Sequence, residues 1–107
     1  EQAMLAGRPI VVDFWAEWCA ACKELEKFTF NDPQVQSKLK DFVLFKANMT
    51  IETSDTAKWK DQFKIMGLPT IHFFNGGNRR DDLVLTGFED RAAFLRRLDK
   101  VLNSSNP

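Results

Sequence analysis

IVVDFWAEWCAACKELE, residues 10–26, changes structural period part-way through, and the two cysteines of the chain sit at the change. IVVDFWA (10–16) is a nearly continuous apolar, β-branched run, the pattern of a strand covered on both faces and therefore central in a sheet. From Ala20 the period becomes helical, with Leu25, Phe28 and the Cys22/Glu26 pair three or four residues apart, until Asn31-Asp32-Pro33 punctuates it. A buried strand running straight into a helix predicts an α/β fold with Cys19 at the strand-to-helix junction.

The rest of the chain extends this pattern. Asp32 caps and Pro33 opens a second short helix, PQVQSKLK, and FVLFKAN (42–48) is a second strand. SDTAKWKDQF (54–63) reads as an amphipathic helix closed by Gly67. PTIHFF (69–74) and DLVLTGF (82–88) flank Asn75-Gly76-Gly77-Asn78, a hairpin signal. Glu89 and Asp90 favour a helix start, followed by the stripe Phe94, Leu95, Leu98, Val101 and Leu102. The order β-α-(α)-β-α-β-β-α predicts a parallel first pair with a right-handed crossover, then antiparallel strands.

The 107 residues suit one domain that buries enough surface to fold without staples. Ten Phe and three Trp describe a filled core, and Trp15 and Trp59 are read as part of it. Fifteen basic residues balance fifteen acidic ones, and Arg79-Arg80 is followed at once by Asp81-Asp82, a solvated turn rather than a nucleic-acid stripe. No apolar run approaches the roughly 20 residues of a membrane helix, and the start lacks a signal peptide's regions. The helix-like EQAMLAG opening and the polar NSSNP end read as cuts in linkers, so residues 1–107 are expected to be one domain of something longer.

Cys19 and Cys22 admit three roles. A closed zinc site wants four ligands, and beyond this pair the chain offers only His72, so no metal is expected. As a staple the pair closes too small a loop to constrain the unfolded chain much. A redox pair explains more, because two positions three apart at a helix start bring the Cα atoms within bonding range. At the helix N-terminus the backbone N–H groups and dipole stabilise the Cys19 thiolate, and Cys22, one turn inside and expected to be better covered, is the natural resolving thiol. No cofactor is needed beyond the disulfide.

Two acids accompany the pair. Asp13 interrupts an apolar strand, where it is either satisfied at an edge or buried with a raised pKa, ready for proton transfer with Cys22. Glu26 lies one turn after Cys22 and shares its face, or is an ordinary solvated residue of KELEK. In MGLPT (66–70), Pro69 precedes a strand, which fits either a simple strand entry or a cis Leu68–Pro69 bond that bares the Leu68 backbone to an extended substrate. Trp18, beside Cys19, is expected to be half exposed as a contact surface. His72 is read as a strand residue with a satisfied ring.

DFWAEWCAACK and MGLPT together resemble the thioredoxin superfamily across essentially the whole chain. The resemblance implies a thioredoxin fold, a central mixed sheet flanked by helices, with Cys19 as nucleophile, Cys22 as resolving thiol, Asp13 as proton-transfer acid and Pro69 as a cis-proline. It also implies a substrate-binding surface of Trp18, Ala20, Ala21, Leu68 and Pro69. Thioredoxins usually carry Gly-Pro between the cysteines, where this chain has Ala20-Ala21. Small apolar residues there, followed by KELEK and TFNDP, look like the C-terminal periplasmic domain of the DsbD family of membrane thiol:disulfide interchange proteins. That likeness places the family's second acid at Glu26. It implies a monomeric domain of a bacterial inner-membrane protein that takes electrons from a transmembrane domain and passes them to an N-terminal immunoglobulin-like domain, as a disulfide reductase. A stand-alone thioredoxin-like reductase and a non-catalytic module with an inert disulfide are the alternatives.

Overall fold

A computed structural model describes residues 7–103; the helix-like opening and the polar tail fall largely outside them. Strand β1 (Ile10–Trp15) lies between β2 (Val43–Asn48), parallel to it, and β3 (Thr70–Asn75), antiparallel. β4 (Asn78–Arg79) and β5 (Leu85–Thr86) both pair antiparallel with β3, giving a five-stranded mixed sheet. Helices α1 (Ala20–Leu25), α2 (Pro33–Leu39), α3 (Ser54–Gln62) and α4 (Arg91–Asn103) complete the fold. β1 is central, as its apolar run requires.

Alternation along β1 divides the core. Val11 packs with Leu25, Phe30, Phe73, Phe94 and Leu98 on the side of α1 and α4, whereas Phe14, with Val12 beside it, packs with Ile65, Trp59 and Phe63 near α3. Because strand side chains alternate, Asp13 faces the same side as Val11, under α1. The α4 stripe behaves as its period predicts: Phe94, Leu98 and Val101 are fully buried, with Leu95 and Leu102 against them. Asp90 caps this helix through the Ala93 N–H at 2.9 Å, and Asp32 caps α2 through Gln34 and Val35.

Several elements differ from expectation for local reasons. The helix from Ala20 does not hold its period to Asn31: after Leu25 it widens into a π-turn, Glu26–Phe30. Phe28 is thereby turned outward, 55% exposed, and Thr29 and Phe30 take the buried positions. α3 is capped by Thr53 and ends before Gly67, because Lys64 adopts the left-handed conformation (φ 53°). Ile65 N–H then reaches the Lys60 carbonyl at 2.9 Å and Lys64 N–H the Asp61 carbonyl at 3.4 Å, a Schellman closure.

The hairpin turns at Gly76-Gly77, both left-handed as such a two-residue loop demands. Its second strand is Asn78–Arg79 rather than 82–88. Ion pairs Arg79–Asp81 and Arg80–Asp82 accompany a 3₁₀ turn at Asp81–Leu83, so the chain rejoins the sheet only at Leu85. Among the described residues no helix is long and apolar enough to cross a membrane.

Candidate active site

Cys19 is the N-cap of α1, in extended backbone (φ −95°, ψ 105°), and its Sγ accepts the Cys22 N–H at 3.1 Å. Sulfur thus fills the acceptor place usually taken by a Ser or Asp oxygen. Cys19 and Cys22 are joined as a disulfide with Cα atoms 5.2 Å apart, so opening and closing it needs little backbone movement. The two are almost equally buried, at 6% and 8% exposure. Coverage therefore does not mark Cys22 as the inner thiol, contrary to expectation. What separates them is the cap, since only Cys19 sulfur receives a helix N–H.

A charged trio, Asp13, Lys46 and Glu26, links β1, β2 and the π-turn that follows α1. Asp13 is buried, and its Oδ1 has no hydrogen-bond partner. Burial pushes its carboxyl from 3.8 up to about 6, with Lys46 pulling it down and Glu26 pushing it further up. Lys46 stands opposite Asp13 in the parallel register of β1 and β2, but its ammonium is bonded to the Glu26 carboxylate. Glu26 is half-buried one turn after Cys22, so the structure joins the two expected acids through a lysine. Lys46 is not among the residues that the sequence motifs single out. Its signal was present: each of the two strands expected to run parallel carries a single charge, Asp13 in IVVDFWA and Lys46 in FVLFKAN.

The second side of the site is the turn before β3. Leu68–Pro69 is cis, Pro69 is fully buried, and Leu68 packs on the Ala16, Cys19 and Cys22 cluster. Trp18 is 67% exposed, more than expected, with its indole N–H fixed on the Thr50 carbonyl at 3.1 Å. Ala20 is exposed and Ala21 half-buried. A groove of about 230 Å³ runs beside Trp18, between Met49, Thr50, Ile65, Met66 and Leu68. Met66, 97% exposed, is a second residue missed; with Trp18 it lines this groove.

His72 corrects another expectation. It is buried between Phe14 and Phe63, and neither ring nitrogen makes a hydrogen bond of ordinary geometry. Burial, then the nearby Arg79 guanidinium, lowers its pKa below 6.5. The ring is a neutral core group on the sheet face away from Asp13, because Val12 opposite it alternates with Asp13.

A family model for a thioredoxin-like domain matches residues 1–102. The chain belongs to that family. Thiol:disulfide interchange protein DsbD of Salmonella typhimurium is 44% identical over 97 residues, 90% of this chain and 17% of that protein. DsbD of Vibrio vulnificus is 41% identical over 102 residues, 94% of this chain and 17% of that protein. Among solved structures, the oxidised C-terminal domain of Neisseria meningitidis DsbD aligns with TM-score 0.76 and 27% identity, covering 88% of this chain and 80% of that one. A Thermus thermophilus thioredoxin aligns with TM-score 0.78 and 28% identity, covering 94% and 78%. This thioredoxin-like chain therefore matches the C-terminal domain of DsbD, and thiol–disulfide exchange is the chemistry that the family implies for Cys19 and Cys22.

Proposed function

We propose that this domain is an electron relay working by dithiol/disulfide exchange, and that in the cell it acts as a disulfide reductase. One observation carries the reading: the Cys19 sulfur caps a helix on the Cys22 N–H, and the strand that leads into that helix holds a buried carboxyl, Asp13. In the reduced form that N–H and the helix end favour a Cys19 thiolate, the attacking species.

Cys19 thiolate attacks one sulfur of a partner disulfide, forming a mixed disulfide and releasing the partner's other sulfur as a thiolate. Cys22 gives its proton to the Asp13 carboxylate and its thiolate attacks Cys19 sulfur, expelling the second partner thiolate. Two electrons pass to the partner, and the domain is left in its oxidised form. Negative charge on Asp13 and Glu26 opposes the thiolate. Each unit by which it raises the Cys19 pKa is worth at most about 1.4 kcal/mol, or about 30 mV, toward giving electrons away. Trp18, Ala20, Ala21, Leu68 and Pro69 form the docking edge, where the Leu68 backbone groups, without partners among the described residues, pair with an extended segment.

The likeness to DsbD, of which the chain matches 17%, supports a periplasmic domain of a bacterial inner-membrane protein. Its reductant is then the transmembrane domain and its oxidant the N-terminal immunoglobulin-like domain, with periplasmic isomerases and cytochrome c maturation proteins downstream. The test is a Cys22→Ser chain offered an oxidised partner domain: a mixed disulfide through Cys19 should accumulate. No trapped adduct, together with a wild-type pair that stays oxidised throughout a glutathione redox series, sinks the proposal.

A further inference from the structure

The helix that carries the cysteines changes period at Glu26, whose carbonyl accepts the Asn31 N–H at 3.0 Å. Such single π-turns are found frequently at functional sites. The wider turn brings Thr29, a polar residue, to full burial in place of Phe28, and a buried hydroxyl needs a partner. Thr29 Oγ1 donates to the Glu89 carbonyl at 2.5 Å, across 60 residues of sequence.

Glu89 is a firm anchor. Its carboxylate takes two guanidinium nitrogens of Arg97, each at 2.9 Å, and Arg97 also bonds the Leu83 carbonyl at 2.9 Å. Two residues earlier, Gly87 N–H bonds the Pro69 carbonyl at 3.0 Å. One loop therefore backs both the cis-proline turn and the π-turn. At the near end of the π-turn stands Glu26, on Lys46.

We propose that the Thr29 hydroxyl is a positioning group for the cysteine chemistry: bonded to the Glu89 carbonyl, it holds the turn in its wide form and keeps the Glu26 carboxylate on Lys46, beside Asp13. The inference rests on the exchange reading for its purpose. Without that bond the Glu89 carbonyl loses its donor and nothing holds the wide turn, so the segment returns to α period with Phe28 inward and Glu26 rotates away from Lys46. Around Asp13 the charged groups are Glu26 on the turn and Lys46 on β2; its β3 neighbour is Ile71, and Lys23 and Glu24 of α1 are exposed. Losing the Glu26 charge and freeing the Lys46 ammonium both favour the Asp13 carboxylate, so its titration should move to lower pH.

The test is carbon-detected NMR titration of Asp13 in the oxidised 107-residue chain, comparing wild type, Thr29→Val, Thr29→Ser and Glu26→Gln. Thr29→Val should lower the Asp13 midpoint by about half a unit to one unit, in the same direction as Glu26→Gln, while Thr29→Ser keeps the wild-type midpoint. If the valine chain does not fold, Thr29→Ala removes the same hydroxyl without added branching. A wild-type midpoint in the hydroxyl-free variant overturns the inference, as does a serine variant that shifts equally far. A wild-type chain that titrates as expected but exchanges no disulfide sinks the proposed function and leaves the anchoring result intact.

Discussion

Asp13 and Lys46 stand opposite each other on adjacent parallel strands, yet the lysine's ion-pair partner is Glu26. Asp13 is left as a buried carboxyl with an unpartnered oxygen and a neighbouring cation already claimed. Burial therefore outweighs the cation, and the acid titrates near 6, close enough to neutrality to give and take a proton.

That arrangement predicts the acidity of the attacking thiol. Asp13→Asn and Glu26→Gln each remove a negative charge near the pair, so the reduced Cys19 should ionise more easily, its pKa falling by about half a unit to one unit. Thiolate absorbance at 240 nm reports it. An unchanged or raised midpoint in both variants refutes the electrostatic role. Asp13→Asn should also slow resolution of the mixed disulfide about 10- to 100-fold at pH 7, because Cys22 loses its proton acceptor.

Met66 supplies a separate test of docking. It is 97% exposed at the groove beside Trp18, and covering such a side chain contributes roughly 1.5–3 kcal/mol. Met66→Ser should lower kcat/KM for a protein disulfide by about tenfold or more, with reduction of a small aromatic disulfide unaffected. Equal loss on both substrates would place the effect in folding or chemistry instead.

Much of this was legible in the chain. β1 announced itself as central through IVVDFW, and the α4 stripe named its own buried residues, because both signals are periods that burial enforces along a whole element. Asp13 was legible for the opposite reason, as a break in a period. The Lys46–Glu26 pair was not, because it joins two elements whose relative register appears only when the strands align. The π-turn was invisible for a related reason: the bond that satisfies Thr29 comes from Glu89, far along the chain, and local period alone favoured Phe28 inside. His72 was harder to read, because its ring is held mainly between Phe14 and Phe63, with the Phe63 backbone as a weak polar contact.

Lys64 offers a stability prediction independent of function. It holds a left-handed conformation (φ 53°) at the end of α3, a place where glycine avoids the Cβ clash. Lys64→Gly should stabilise the fold by about 0.5–1 kcal/mol, the relief being partly offset by glycine's larger unfolded freedom. Urea unfolding measures it. A loss of stability would mean that the lysine side chain contributes more than its backbone costs.

Asp13 and His72 make opposing demands on pH. Asp13 has a folded pKa of about 6, above the ordinary 3.8, so between those values the fold holds more protons than the unfolded chain. Its contribution is greatest below about pH 4 and is lost as pH rises through 6, about 3 kcal/mol in all. His72, the one histidine, has its folded pKa lowered from 6.5 by burial; the unfolded chain takes the proton first, and stability is lost as pH falls below 6.5. Asp32 and Asp82 are pulled below the ordinary carboxylate range and titrate beneath this window. On moving from pH 7 to 5, Asp13→Asn should therefore lose stability, because only the histidine's demand remains. His72→Leu should gain stability over the same interval, and the wild type should lie between them. Urea midpoints of the oxidised chains at fixed ionic strength decide the matter, and parallel pH profiles for the two variants would show that neither buried group controls the acid response.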